Sequence, residues 1–201
     1  MIAAGATVSS QATVPESAKV WDLAQIREGA TLGEHVIIGR GAYVGGGVRI
    51  GADAKIQNYA LVYEPAELGI GVFVGPGAIL TNDKAPRAVT PEMQQKQPTD
   101  WVPVGVRVLD GASIGAGAIC VAPITIGRWA MVAAGAVVVS DVADYALVAG
   151  SPARRIGWVG KAGVRLSQVA ATPGMWVCSE SGEIFVEDGA GGITPMDDTT
   201  L

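Results

Sequence analysis

The stretch IIGRGAYVGGGVRIGADAKIQNYALV, residues 37–62, decides the fold. Every sixth residue in it is aliphatic (Ile38, Val44, Ile50, Ile56, Val62), and four places after each stands a small side chain (Ala42, Val48, Ala54, Ala60, then Ala66). A helix repeats every ~3.6 residues and drifts out of a register of six, and no hairpin keeps it over this length. A coil of short parallel strands does, each segment sending one large and one small side chain into a narrow interior.

Read outward, the rule holds from Val14 through Val20, Ile26 and Leu32 to Leu68 and Val74. It breaks after Leu80 and resumes out of phase at Val102, Val108, Ile114, Cys120, Ile126, Val132 and Val138. This predicts a regular solenoid interrupted by an inserted loop, residues 81–101. Roughly nineteen hexads at three per turn give about six coils, ~30 Å tall at the strand spacing of ~4.8 Å. Glycine directly follows the aliphatic position at Gly33, Gly39, Gly75 and Gly115, among others, and is expected there to turn a corner where bulk or a negative φ is costly.

The composition excludes several classes. Apolar residues make up 49% of the 201, but a glycine or a charge recurs within each hexad, so no run reaches the ~18 residues of a membrane span. MIAAGATVSSQATV has no basic region and no clear apolar core, so it does not read as a signal peptide, and a cytoplasmic protein is expected. A net charge of -5 argues against nucleic-acid binding, which needs a basic face. Cys120 takes a core position and Cys178 lies far away in the tail, so neither a disulfide framework nor a CxxC metal site is indicated.

Residues 1–144 are thus expected to be β-helix with its loop, and 145–201 a cap and tail. YALVAGSPARRIGW, residues 145–158, supplies apolar residues, a proline break and two arginines where the last coil would otherwise expose its core. WVCSESGEIFVEDG, residues 176–189, alternates apolar and polar around Ser-Gly and reads as a hairpin. Beyond Gly189 the chain is expected to be disordered.

The hexads, the interrupting loop and LVAGSPARRI resemble the left-handed parallel β-helix acyltransferases. The resemblance implies an all-β fold of that hand, a homotrimer, and acyl-coenzyme A bound in clefts between neighbouring prisms. A narrower resemblance rests on KIQN (55–58), LVYE (61–64), GVFVGPGAILTNDKAPRA (71–88), GASIGAGA (111–118) and YALVAGSPARRIGWV (145–159). These are similar to N-acetyltransferases of nucleotide-linked 3-amino sugars, such as the UDP-2-acetamido-3-amino-2,3-dideoxyglucuronate and dTDP-3-amino-3,6-dideoxyhexose enzymes. The chain departs from that pattern at Leu68–Ile70, where relatives carry an acidic pair, and at Ala85, where an aromatic is common.

What the resemblance implies is transfer of acetyl from acetyl-CoA to the 3-amino group of a UDP- or dTDP-linked sugar. The amine must be neutral, meet the thioester carbonyl at ~3–3.5 Å and have donors facing the oxyanion. The single histidine, His35, lies about 12 Å along the axis from the loop by the coil count, a poor base and more simply a solvated surface group. An amine titrates near neutrality and can bind already neutral, whereas a hydroxyl needs a base. The one histidine therefore favours an amine acceptor. It also disfavours a zinc-dependent anhydrase with three histidine ligands, and no metal is expected. An O-acetyltransferase and a non-catalytic scaffold remain as alternatives.

By resemblance Asn82 is the active-site loop asparagine; an Asx turn would explain the same Asn-Asp pair. Asp83 is a candidate to hold the amine or take its proton, or to cap the turn. Lys84 and Arg87 are candidates for a substrate pyrophosphate, Arg87 through its fork. Gln57, Asn58, Tyr63 and Glu64, about one coil before Asn82, suit sugar hydroxyls and a base or ribose, and are expected beneath the loop; exposed corners would also carry such residues. Trp101 could stack on a base or simply pack. For coenzyme A, the small corners Gly115, Ala116, Gly117, Ala133, Ala134 and Gly135 would let a pantetheine arm lie along the backbone, and Arg154, Arg155 and Lys161 would meet phosphates at the end of the prism.

Overall fold

The computed structural model describes residues 1–196. Nearly every straight segment is a strand of two residues whose second side chain points inward and is buried, as in Ile37–Ile38, Tyr43–Val44 and Arg49–Ile50. Strands eighteen residues apart pair in parallel, Ile38 with Ile56 and Val44 with Val62, so the chain winds a three-faced prism. Face I stacks seven strands, Thr7–Val8, Gln25–Ile26, Tyr43–Val44, Leu61–Val62, Ile79–Leu80, Ile119–Cys120 and Val137–Val138. Face II holds Thr31–Leu32, Arg49–Ile50, Glu67–Leu68, Val106–Val108 and Ile124–Ile126. Face III runs from Lys19–Val20 through Ile37–Ile38, Lys55–Ile56, Phe73–Val74, Ser113–Ile114 and Met131–Val132 to Ala146–Gly150.

Residues inside the prism are wholly apolar. Ile38, Ile56 and Ile114 have no exposed surface, and Ala24, Ala42, Ala60 and Ala118 fill the narrow positions between them. The solenoid is about eight turns deep rather than six. On face III, Ile2 bridges Val20, and Ile38, Ile56, Val74, Ile114, Val132 and Val148 follow. The hexad count began at Val14 and closed at Val138, and so left out the first turn, where Ile2 and Val8 keep the same spacing, and the cap strand that completes the last.

The interruption falls at the edge between faces I and II. Leu68 pairs with Val108, forty residues on instead of eighteen, so twenty-two residues are looped out and the ladder continues in register. Val102, expected to point inward, is 83% exposed, and the next rung is Val106–Val108. The earlier position satisfies the spacing but belongs to the loop. Gly105 is held close instead, since a Cβ there would lie 2.6 Å from the Pro65 carbonyl.

At the corner glycines bulk is excluded as expected, but the backbone φ is not positive there. Gly115 follows its aliphatic residue, and a Cβ on it would stand 2.4 Å from the backbone nitrogen of Ala134 on the next coil. The constraint there is the approach of two backbones. Positive φ falls two residues later, at Gly117 and Gly135, but also at Leu23, His35, Asp53, Tyr59, Trp129 and Tyr145, which accept the left-handed conformation.

At the C-terminal end Ala146–Gly150 turns back antiparallel into Ala153–Trp158, closing the prism. A four-stranded antiparallel meander follows: Ser167–Gln168, Met175–Val177, Ile184–Glu187 and Ile193–Pro195. It docks through Phe185, whose ring lies 5.0 Å from that of Tyr145 at 64°. The hairpin read in residues 176–189 is its central pair. The expectation of disorder beyond Gly189 fails as far as Met196, because Ile193 is 3% exposed in a paired strand; residues 197–201 lie outside the described residues. Among the described residues no helix is long and apolar enough to cross a membrane.

Candidate functional site

Three edges run along the prism, and each gathers residues from positions eighteen apart. The I/II edge carries Tyr63 and Glu64 with the loop directly above. Tyr63 donates its N–H to the carbonyl of Leu80 (3.3 Å), while Val104 donates to the carbonyl of Asn82 (2.9 Å), closing the loop at its neck. Thr81 Oγ1 accepts the N–H of Ala122 on the coil beyond (3.0 Å). Asn82 and Asp83 are half-buried at this neck. One carboxylate oxygen of Asp83 accepts the N–H of Ala85 (2.8 Å), the turn-capping role expected as its simpler explanation. Lys84 and Arg87 are exposed further out, and Arg87 Nη1 donates to the carbonyl of Pro86 (3.0 Å). Trp101 is half-buried where the short 3-10 turn Pro98–Asp100 returns the loop to the prism.

Beneath the neck, Glu64 folds back over Gly45, where a side chain could not fit. Its Oε2 is buried with no hydrogen-bond partner in the structure. Tyr63 packs on Tyr43 with ring centroids 5.2 Å apart. Burial, with the nearby Glu64 charge, raises the Tyr43 phenol above its ordinary value. Sequence reasoning missed Tyr43 and Gly45; counting back one coil of eighteen residues from Leu61 and Tyr63 would have pointed to both.

Gln57 and Asn58 do not lie under the loop. They sit on the III/I edge, one face away, where Asn58 Oδ1 accepts the N–H of Arg40 (2.9 Å). With Trp21, Asp22, Ile37, Gly39 and Arg40 they line a cleft of about 330 Å³. Higher on the same edge the structure brings together Gly115–Gly117 and Ala133–Gly135 as two stacked turns. Gly135 donates to the Ala116 carbonyl (2.9 Å), Gly117 to that of Pro76 (2.9 Å) and Gly115 to that of Val132 (2.8 Å). Those amides serve the ladder, so the turns offer a ligand a smooth, narrow ridge.

At the end of the prism Arg154 and Arg155 line a cleft of about 510 Å³ with Val138, Ser140, Asp141 and Gly191. Arg155 also lies 4.1 Å above the ring of buried Trp158. Lys161 is not with them. It pairs with Glu183 of the tail sheet at 2.8 Å, tying that sheet to the cap. His35 occupies the II/III edge, its Nδ1 3.3 Å from Asp53 and its side chain 69% exposed, remote from the loop neck. Among the described residues no three His, Cys, Asp or Glu side chains are grouped to hold a metal ion.

No family model matches the chain. Among curated proteins it is 56% identical over 52 residues to dTDP-3-amino-3,6-dideoxy-alpha-D-galactopyranose 3-N-acetyltransferase of Aneurinibacillus thermoaerophilus, covering 26% of this chain and 27% of that one. A second relative, serine acetyltransferase 4 of Arabidopsis thaliana, is 39% identical over 93 residues, 45% of this chain and 25% of that one. The chain thus spans about a quarter of the length of these curated relatives. Among solved structures, GDP-perosamine N-acetyltransferase of Caulobacter crescentus, in complex with CoA and GDP-perosamine, superposes with a TM-score of 0.52 at 28% identity, covering 76% of this chain and 56% of that one. A hexapeptide-repeat acetyltransferase of Vibrio cholerae, in complex with acetyl coenzyme A, shares the fold with a TM-score of 0.52 at 22% identity over 66% of this chain and 72% of that one. The solenoid is the left-handed parallel β-helix of these proteins. In its six-residue repeat, its insertion at one edge and its fold, the chain is similar to these hexapeptide-repeat acetyltransferases.

Proposed function

We propose that this protein is an N-acetyltransferase that moves acetyl from acetyl-CoA to the 3-amino group of a UDP- or dTDP-linked sugar. The observation that carries the reading is the loop neck, where Asn82 and Asp83 are held half-buried above Tyr63 and Glu64 in a chain whose single histidine lies on another edge. The likeness to a dTDP-3-amino sugar N-acetyltransferase and to an enzyme crystallised with CoA and GDP-perosamine supports it.

The neutral amine attacks the thioester carbonyl, a tetrahedral oxyanion forms, and the thiolate of coenzyme A departs. Asn82 positions the amine or donates to the oxyanion without changing charge. The amine's proton passes to solvent, to the departing thiolate or to the Asp83 oxygen outside the Ala85 turn. An O-acetyl reading would need a histidine base, and His35 is engaged with Asp53.

The small-residue ridge Gly115–Gly135 suits the pantetheine arm and the arginines at the end of the prism suit its phosphates. That ridge is on the III/I edge and Asn82 on the I/II edge, separated by the width of face I, up to about 20 Å for six residues. We therefore assign the reaction to clefts between neighbouring copies of a cytoplasmic homotrimer, with the loop of one prism meeting the ridge of the next.

Thiol release from acetyl-CoA should appear with a UDP- or dTDP-linked 3-amino sugar and be absent with 4-amino and 3-hydroxyl counterparts. Silence across the panel, with coenzyme A still bound, would remove the acceptor. Asn82→Ala should lower kcat at least tenfold, about 1.4 kcal/mol of transition-state stabilisation; an unchanged kcat would remove Asn82 from the chemistry.

A further inference from the structure

The III/I edge has a second notable section below the coenzyme ridge. At positions directly after the aliphatic residue it stacks Trp21, Gly39 and Gln57, and one residue on it stacks Asp22, Arg40 and Asn58. Gly39 opens a notch between Trp21 and Gln57, and a Cβ there would stand 2.6 Å from the backbone nitrogen of Asn58. The result is the cleft of about 330 Å³ described above. Trp21 is 46% exposed. Arg40 is held twice, its backbone N–H by Asn58 Oδ1 and its Nε by the hydroxyl of Tyr59 (3.3 Å), a bond that raises its pKa further. Asp22 Oδ1 accepts the N–H of Gly5 (3.3 Å).

We propose that this cleft binds the nucleoside diphosphate of the acceptor, with the base against Trp21 and the pyrophosphate on Arg40. The proposal rests on the reading of a nucleotide-linked acceptor and adds Trp21, Asp22 and Arg40 to its site. An exposed indole offers a flat apolar face, a guanidinium fixed through Nε meets phosphate oxygens with its terminal nitrogens, and the Gln57 amide both donates and accepts toward base or ribose. The Asp22 carboxylate repels phosphate and accepts from a ring N–H or a ribose hydroxyl, which orients the ligand base-first toward the N-terminal coils. Arg40 lies three rungs below Ala116, about 14 Å along the axis. A sugar carried on that pyrophosphate would extend up the same edge toward the end of the coenzyme's arm.

The test is titration calorimetry of the full chain with UDP, dTDP and GDP, and separately with coenzyme A. Wild type should bind at least one of the three nucleotides. Trp21→Ala and Arg40→Gln should each weaken that nucleotide at least tenfold and leave coenzyme A affinity within twofold, with circular dichroism and molecular mass unchanged. Leu23→Ala, at the same edge and 56% exposed, is the control. No nucleotide binding by wild type, or affinity unchanged in both variants, would overturn the proposal. So would equal loss in Leu23→Ala accompanied by a lower molecular mass, which would make Trp21 and Arg40 assembly contacts of the trimer and not nucleotide ligands. Acetylation of a 3-amino member with unaltered KM in both variants would leave the transferase reading intact and remove only this cleft.

Discussion

Gly115 and Gly135 occupy adjacent turns of one edge and fail differently when a methyl is added. A Cβ on Gly115 collides with the Ala134 backbone, whereas one on Gly135 meets open space but must adopt φ +70°. Gly115→Ala should therefore cost about 1–3 kcal/mol by overpacking, and Gly135→Ala about 1–2 kcal/mol by conformation alone. Urea titration separates them, and a milder effect at Gly115 would refute the close-approach account. A hexad lists both as corner glycines; which one faces a neighbouring backbone follows only from coil stacking. Cys120 offers a second residue-level check. Burial pushes its thiol up from 9.0 to about 12. Because the folded value is the higher, its contribution is intact below pH 9 and is lost as the pH rises towards 12. At full effect this is of the order of 4 kcal/mol. Cys120→Val should flatten that part of the alkaline stability profile, and an unchanged profile would exclude the thiol as its origin.

Two-residue strands carry little stability alone; each is held by the rungs above and below. That is why the pattern was legible, since every inward position faces the same narrow space and accepts the same few side chains. The inserted loop had no such repetition. Its limits were misread at Val102 because spacing alone cannot distinguish a rung from a loop residue that happens to be aliphatic. Its neck, set by the Val104–Asn82 bond and the fit of Gly105 over Pro65, is a matter of three-dimensional closure. Gln57 and Asn58 were assigned beneath the loop for the same kind of reason: residues one rung before it in sequence lie one face away in space. The C-terminal meander was half legible as a hairpin. Its docking is testable at Phe185, fully buried against Tyr145. Phe185→Ala should cost about 3–5 kcal/mol and make residues beyond 167 sensitive to limited proteolysis while the prism resists. Uniform resistance would show that the sheet is anchored elsewhere.

At the scale of the whole molecule the prism separates what its edges do. The I/II edge holds the loop, the III/I edge the cleft at Trp21 and Arg40 and the small-residue ridge, and the II/III edge His35 and the docking point of the tail. Light scattering should give about three times the 20.4 kDa chain mass, and a monomer that still turned over would refute a site shared between copies. The forty-residue step from Leu68 to Val108 has a further consequence. Since the ladder resumes in register on either side, the excursion can lengthen, shorten or change its side chains without disturbing a single inward rung. On the proposed function, selection can then act on the loop's part in acceptor choice and on folding as nearly independent traits, so a lineage built on this scaffold could change substrate by small steps at one corner while its core stays still.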